Sequence, residues 1–295
     1  MRILGIDIGG TSIKLGIADR KGRLSEFDEY PTESGRGGGH IVKTAIDRIA
    51  AHKNIDAIGV SVPGQIDREN GIVVNGSANL PGTSGLEIKA LLENRFRVPV
   101  AVENDVNAAA LGEKRFGAGK GKRDFLFLAY GTGIGGAIVI DSELYGGTGG
   151  YAGEFGHMII DKNGNKCTCG LRGCYEAHAS VSALVREVKR IDATCIDGKI
   201  IFRKCHEGDK RVMGKIDVWV DEVVVGLVSL THIFNPSTIL LGGGIMEEDS
   251  LANMIASRLN DTIIGSFKRV EVERAALGNK AGMLGAVSLH LQSLT

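Results

Sequence analysis

Three cysteines, Cys167, Cys169 and Cys174, lie within eight positions of one another, and His157 stands ten residues ahead of the first. Gly170 and Gly173 allow the chain to turn back between them. Three thiolates and one imidazole make a closed tetrahedral set, which suits Zn²⁺ and leaves no open position for a substrate or an activated water. Such a site orders a loop that has little core of its own; it does not carry out a reaction. Two carboxylates flank the cluster, Glu154 three residues before the histidine and Glu176 two residues after the last cysteine.

Other residues have the chemistry for phosphate. "DIGGT" (Asp7 to Thr11) and "GTGIGG" (Gly131 to Gly136) are glycine-rich tips, where backbone N–H groups can approach an anion with no side chain in the way. Together they could hold the two ends of a polyphosphate. Neither has the Gly-Lys-Ser/Thr ending of a Walker loop or the spacing of a dinucleotide fingerprint, and each alone could be an ordinary hairpin turn. Asp7 is a carboxylate beside such a tip, which suits Mg²⁺ with its few protein ligands. A third glycine cluster, "LLGGGI", puts Gly243 and Gly244 at the end of a strand, where an adenine or ribose could pack on bare backbone. In "VENDVNAA", Asn104 and Asp105 fall where a strand gives way to a helix. Asp there can be a helix N-cap. It can also accept the proton of an attacking hydroxyl, as the catalytic Asp does in phosphoryl transfer.

The elements that position these residues alternate. "GIDIGGTSIKLGIAD" (Gly5 to Asp19) and "LAYGTGIGGAIVID" (Leu128 to Asp141) are both apolar runs joined by a Gly/Thr turn, the pattern of a β-hairpin, and their likeness predicts two halves built alike. Ile41, Ala45, Ile46, Ile49 and Ala50 have helical spacing, as do Leu86, Leu91, Leu92 and Phe96. "AIGVSVPG", "VPVAVEN" and "TILLGGG" read as strands, and a closing helix runs from about Ala281 to Leu291. Strands alternating with helices predict an α/β fold. The chain has 295 residues, enough for two domains, and "FGAGKGKRD" (Phe116 to Asp124) is the candidate joint. Lys+Arg and Asp+Glu each total 35, so no excess of positive charge points to nucleic acid or an anionic membrane. No signal peptide or membrane-length apolar run is present, which with isolated Cys195 and Cys205 gives the expectation of a soluble, cytoplasmic protein.

"DIGGTSIKLGI", "VSVPGQID", "VENDVNAAALGE", "GTGIGGAIV", "GEFGH", "CTCGLRGCYE" and "LGGGI", in this order, resemble the ROK family of bacterial sugar kinases and sugar-responsive repressors over essentially the whole chain. The resemblance implies an actin-like, hexokinase-like (ribonuclease H-like) duplicated fold, with two domains and a cleft between them. Residues 1–117 with a C-terminal helix 281–295 would form the smaller domain, and 118–280 the larger one with the zinc loop and dimerisation helices. It implies an ATP-dependent hexose kinase with Asp105 as the general base on the sugar's primary hydroxyl. Asn104, Glu154, His157 and Glu176 would contact ring hydroxyls, with Asn79 and the Gly64 backbone lining the same pocket. Asp7, Gly9, Gly10, Thr11 and Lys14 would hold phosphate and Mg²⁺, Gly131, Thr132 and Gly133 would hold phosphate from the other side, and Gly243 and Gly244 would border the nucleoside. His157 would bind metal through one ring nitrogen and serve the sugar with the other.

Glucose fits this polar set best. N-acetylmannosamine, N-acetylglucosamine, mannose, fructose, allose and β-glucosides are family alternatives, and Thr83 stands where many family glucokinases have Trp, so the pocket around Thr83 and Asn79 is expected to select the sugar. The resemblance also implies a homodimer. The family's repressors need a helix-turn-helix ahead of the sugar domain, and here the first phosphate tip begins within ten residues of Met1. A kinase is therefore expected over a repressor or an actin-like scaffold.

Overall fold

The computed structural model describes residues 1–291, and the last four residues of the expected C-terminal helix lie outside that range. In chain order the first elements are β1 (Ile3–Ile8), β2 (Ser12–Ala18), β3 (Leu24–Pro31), α1 (Gly38–Ile49), β4 (Ala57–Val62), β5 (Gly64–Asp67), β6 (Ile72–Gly76), α2 (Ile88–Phe96), β7 (Val100–Asn104) and α3 (Asp105–Phe116). There follow β8 (Phe125–Tyr130), β9 (Ile134–Ile140), β10 (Glu143–Leu144), α4 (Tyr175–Ala179), α5 (Val181–Lys189), α6 (Gly198–His206) and α7 (Lys210–Phe234). The chain closes with β11 (Thr238–Gly242), α8 (Asp249–Thr262), β12 (Glu271–Arg274) and α9 (Ala281–Ser288). Two units result: Met1–Gly121 with Leu144–Ala152 and the chain from Asn279 onward, and Lys122–Glu143 with Gly153–Gly278. The division at Gly121 falls inside the glycine- and lysine-rich stretch.

Each unit is built on a five-stranded sheet, in the order β3-β2-β1-β4-β7 in the first and β10-β9-β8-β11-β12 in the second. In both, a glycine-tipped antiparallel hairpin (β1/β2, β8/β9) leads into a parallel set (β1-β4-β7, β8-β11-β12). This is the internal duplication expected from the repeated hairpins. The central parallel strands β4 and β11 are buried along their whole length, which is why they read as continuous apolar runs and not as alternation, while the edge strand β12 is charged and not buried. Hydrophobic periodicity locates α1 well but overreaches at α2: Leu86 precedes the helix and Leu91 stands exposed.

In the first unit, α9 packs between the sheet and α3 with glycines at the closest approaches and with Met283, Leu284 and Val287 buried around them. A methyl group at Gly5 or Gly59 would overlap the α9 carbonyls of Met283 and Ala286; one at Gly112 of α3 would lie 2.6 Å from the Ala281 carbonyl oxygen, and one at Gly285 would overlap the Ala108 carbonyl. Glycine on all three elements lets backbones touch, and dispersion at those points replaces side-chain interdigitation. Gly285→Ala should therefore destabilise the protein by about 2–3 kcal/mol, because the added methyl meets backbone that cannot give. Gly214→Ala is the control: it lies inside α7 with nothing within 4 Å of the added carbon. Urea unfolding should show this control unchanged or stabilised by up to about 1 kcal/mol.

Candidate active site

The carboxyl ends of β1, β4 and β7 place polar residues on one rung, Asp7 opposite Ser61 and Ser61 opposite Glu103. The Ser61 hydroxyl donates to Asp7 Oδ1 at 2.6 Å, and Lys14, paired with Asp7 across the β1/β2 hairpin, brings Nζ to 3.9 Å from Oδ2. Gly282, in the first turn of α9, leaves the space this carboxylate fills, since a methyl there would be 2.6 Å from Asp7 Oδ1. Burial raises the Asp7 pKa above the usual carboxylate range, and Ser61 and Lys14 offset part of the rise.

Asn104, the last residue of β7, caps α3. Its Oδ1 accepts from the Val106 and Asn107 N–H groups at 2.9 and 3.1 Å, while its Nδ2 donates to the Gly64 carbonyl and to Asp105 Oδ1, both at 3.0 Å. Capping thus belongs to Asn104, and the Asp105 side chain is left for other chemistry. Burial pushes the Asp105 pKa up to about 6, and the negative charge of Asp7 adds to the effect. A carboxylate with that pKa is ionised near neutrality and still basic enough to take a hydroxyl proton. Asn104 has both amide hydrogens and its carbonyl oxygen engaged within the chain, as a positioning group would.

The first tip is contiguous with the turn that carries Asn79. A methyl at Gly10 would lie 3.1 Å from Asn79 Cβ, and the Gly9 N–H donates to the Ser12 carbonyl at 3.0 Å to close the tip. Asn79 and Thr11 are exposed there. Thr83 differs from expectation. It is 2% exposed, its hydroxyl donates to the Leu80 carbonyl at 2.7 Å, and Gly76 leaves the room it occupies. The residue stabilises its own turn with its hydroxyl, so any effect of the Trp-to-Thr departure on the sugar comes through the space a smaller residue leaves and not through a polar contact from Thr83.

In the second unit, Tyr130 ends β8 and the tip Gly131–Gly133 follows, closed by the Gly131 N–H donating to the Gly133 carbonyl at 3.0 Å. Gly243, at φ +96°, packs on the Tyr130 backbone, so the "LGGG" turn adjoins this tip. Side chains at Gly131 and Gly244 would meet nothing within 4 Å. Their bareness is not demanded by packing, and it leaves the open backbone that a nucleotide needs. Thr132 is exposed beside them. Glu176 reaches the same tip: Oε2 accepts from the Ile134 N–H at 3.4 Å and would be 2.5 Å from a methyl at Gly133.

Glu176 also ties the tip to the cysteine loop, with Oε1 3.0 Å from Cys167 Sγ and 3.2 Å from Thr168 Oγ1. Cys169 and Cys174 sulfurs are 3.6 Å apart, Cys167 Sγ is 3.7 Å from His157 Nδ1, and the four ligand atoms all lie within 4.8 Å of one another. Zn–S bonds of about 2.3 Å on a tetrahedron separate sulfurs by about 3.8 Å, so the set fits zinc. Gly173, at φ +74°, is needed where its backbone crosses the Asp161 carbonyl. His157 turns its other nitrogen, Nε2, toward Glu154 at 3.9 Å, and Glu154 is exposed. Sequence reasoning missed Ser61, Gly282 and the Glu103–Arg68 ion pair. A polar residue inside an apolar buried strand was the available signal for Ser61; Gly282 and Arg68 gave none.

A model described as the ROK family matches residues 3–293. A glucokinase of Thermotoga maritima is 33% identical, over 98% of this chain and 97% of that protein. The xylose repressor of Bacillus subtilis is also 33% identical, over 97% of this chain but 76% of the repressor. Among solved structures, a ROK family glucokinase from Streptomyces griseus in complex with glucose and AMPPNP has a TM-score of 0.87 and 32% identity, over 98% of this chain and 99% of that one. Among the described residues, no helix is long and apolar enough to cross a membrane.

The raised Asp105 pKa has a sign that stability can test. The folded state holds this proton more tightly than the unfolded chain does, so the cost of the buried charge is present in full above about pH 6 and is relieved as pH falls toward 4. Without nucleotide, Asp105→Asn should stabilise the protein at pH 8 by up to about 3 kcal/mol, with the gain shrinking at pH 5 and gone near pH 4. Urea unfolding at the three values checks this; a variant less stable than wild type at pH 8 would contradict it.

Proposed function

We propose, starting from the fact that this chain belongs to the ROK family, that it is an ATP-dependent kinase transferring the γ-phosphoryl group to the primary hydroxyl of a hexose, glucose before others. The observation that carries this reading is Asp105: half-buried, free of capping, held by Asn104 and poised near pH 6 beside Asp7. Asp105 takes the proton of the sugar's primary hydroxyl as that oxygen attacks the γ-phosphorus; the new P–O bond forms as the bond from the γ-phosphorus to the β–γ bridging oxygen breaks, and ADP leaves with that oxygen. Mg²⁺, when bound with ATP, supplies charge neutralisation on the phosphates. Asp7, with Lys14 beside it, is the chain's contribution to holding it. The bare tips at Gly9–Gly10 and Gly131–Gly133 serve phosphate oxygens through backbone N–H groups, and Gly243–Gly244 the nucleoside.

Asn79, the Gly64 backbone, Glu154, His157 and Glu176 serve the sugar's hydroxyls in this reading, while Asn104, expected among them, has its amide fully engaged within the chain and positions Asp105 instead. The set His157, Cys167, Cys169 and Cys174 holds a structural Zn²⁺ that fixes Glu176 and His157; the near-tetrahedral spacing of its ligand atoms supports this. The reading includes a cytoplasmic homodimer through the second unit, supported by Val218, Val225 and Ile233 standing 58%, 46% and 68% exposed along α7.

The test is ADP release across a sugar panel. Glucose should give the highest kcat/KM, and Asp105→Ala should lower kcat by about a thousandfold while calorimetry still detects sugar binding. Near-wild-type rates in that variant would remove Asp105 from the role. The purified protein should carry one zinc per chain. Cys169→Ser, which changes the exposed ligand, should lose zinc and raise the sugar KM by about tenfold with kcat changed far less.

A further inference from the structure

Glu103 is a buried charge that the proposed reaction does not use. It is 1% exposed at the end of β7, and Arg68 Nε lies 2.6 Å from its Oε2. Its Oε1 accepts from the Asn104 N–H at 2.9 Å and from Asn107 Nδ2 at 3.2 Å, so the carboxylate spans the first residues of the strand-to-helix junction. Burial pushes its pKa up, and Arg68 is the largest influence that opposes the rise. A buried carboxylate paired with a guanidinium is a costly arrangement for stability alone, since a neutral, well-packed pair would serve as well.

Arg68 follows β5 and thus belongs to the β5/β6 hairpin. That hairpin begins at Gly64, whose carbonyl accepts one amide hydrogen of Asn104; the other amide hydrogen of Asn104 goes to Asp105 Oδ1. Gly64 stands at φ +119°, where a methyl would be 2.5 Å from the Asn75 carbonyl, so its carbonyl direction is fixed by the hairpin. Arg68 also faces the Leu144–Ala152 segment: methyls at Gly146 and Gly150 would lie 3.6 and 4.0 Å from its guanidinium and Cδ.

We propose that Arg68 and Glu103 are positioning residues: their ion pair pins the β5/β6 hairpin to β7 so that the Gly64 carbonyl holds the Asn104 amide in the one orientation that aims the Asp105 carboxylate. The proposal rests on Asp105 being the base, and its test separates the two. Wild type, Arg68→Met, Glu103→Gln and the double variant are compared for kcat, sugar Kd, thermal unfolding and hydrogen exchange of residues 64–76 and 105–107. Arg68→Met leaves Glu103 unpaired and should lower both stability and kcat, the latter about tenfold or more. The double variant removes the unpaired charge, so its melting temperature should return toward wild type while kcat stays about tenfold down, sugar Kd stays within about threefold, and exchange at 64–76 and 105–107 stays fast. Arg68→Lys, which keeps the charge, should recover part of kcat.

If the pair serves stability only, the double variant recovers kcat together with its melting temperature, and the proposal falls. Should Arg68→Met fail to fold, the double variant and Arg68→Lys still decide between these outcomes. A wild type that releases no ADP with any sugar would refute the kinase reading. Exchange in the double variant would still decide the pinning, and wild-type protection at both segments would overturn it.

Discussion

Two half-buried carboxylates, Asp7 and Asp105, stand close enough that the charge of one raises the proton affinity of the other. Most of what surrounds them in the first unit is explained by the need to keep this pair in place. Ser61 donates to Asp7 from the neighbouring parallel strand, Lys14 opposes it from the hairpin, and Gly282 withholds a side chain so that the carboxylate can seat against the first turn of α9. On the other side, Asn104 takes the capping duty that an aspartate would otherwise perform, and the helix begins with a free base. Burial and like charge would expel an unsupported pair, so the cost has to be met by the packing of the elements that carry it.

That packing is unusual in its means. β1, β4, α3 and α9 come together through glycines, and the closest contacts are backbone on backbone. An aliphatic core would hold the same elements further apart, and α9 could then not bring Gly282 beside Asp7. In the second unit the corresponding work is done by a loop with few apolar residues, stapled through Glu176 to the glycine tip and organised by a tetrahedral cluster of thiols and an imidazole. One unit positions by close packing and the other by a ligand set that suits zinc.

The duplicated actin-like fold was legible because both hairpins carry glycine between apolar runs and because buried parallel strands read as unbroken apolar segments. The cysteine cluster was legible from spacing alone, since few other uses of three cysteines and a histidine at that spacing compete with metal binding. What the sequence could not say is which of two adjacent polar residues caps α3. Asn104 and Asp105 are both good caps, and only the Gly64 carbonyl, forty positions away, decides between them. The burial of Thr83 was silent for a related reason: a polar residue beside a binding motif reads as a pocket wall, and its bond to its own turn depends on how that turn folds. Arg68 and Glu103 were silent because a charge in a strand or turn is normally solvated, and its burial depends on where the hairpin folds.

Together these groups serve the transfer of a phosphoryl group from ATP onto a sugar hydroxyl. Phosphorus NMR of the product formed from ATP, Mg²⁺ and glucose carrying ¹³C at the primary carbon tests it most directly. The account predicts a phosphomonoester whose phosphorus couples to that carbon, appearing in step with ADP. Inorganic phosphate with no sugar ester, or an ester at a ring or anomeric oxygen, would contradict it.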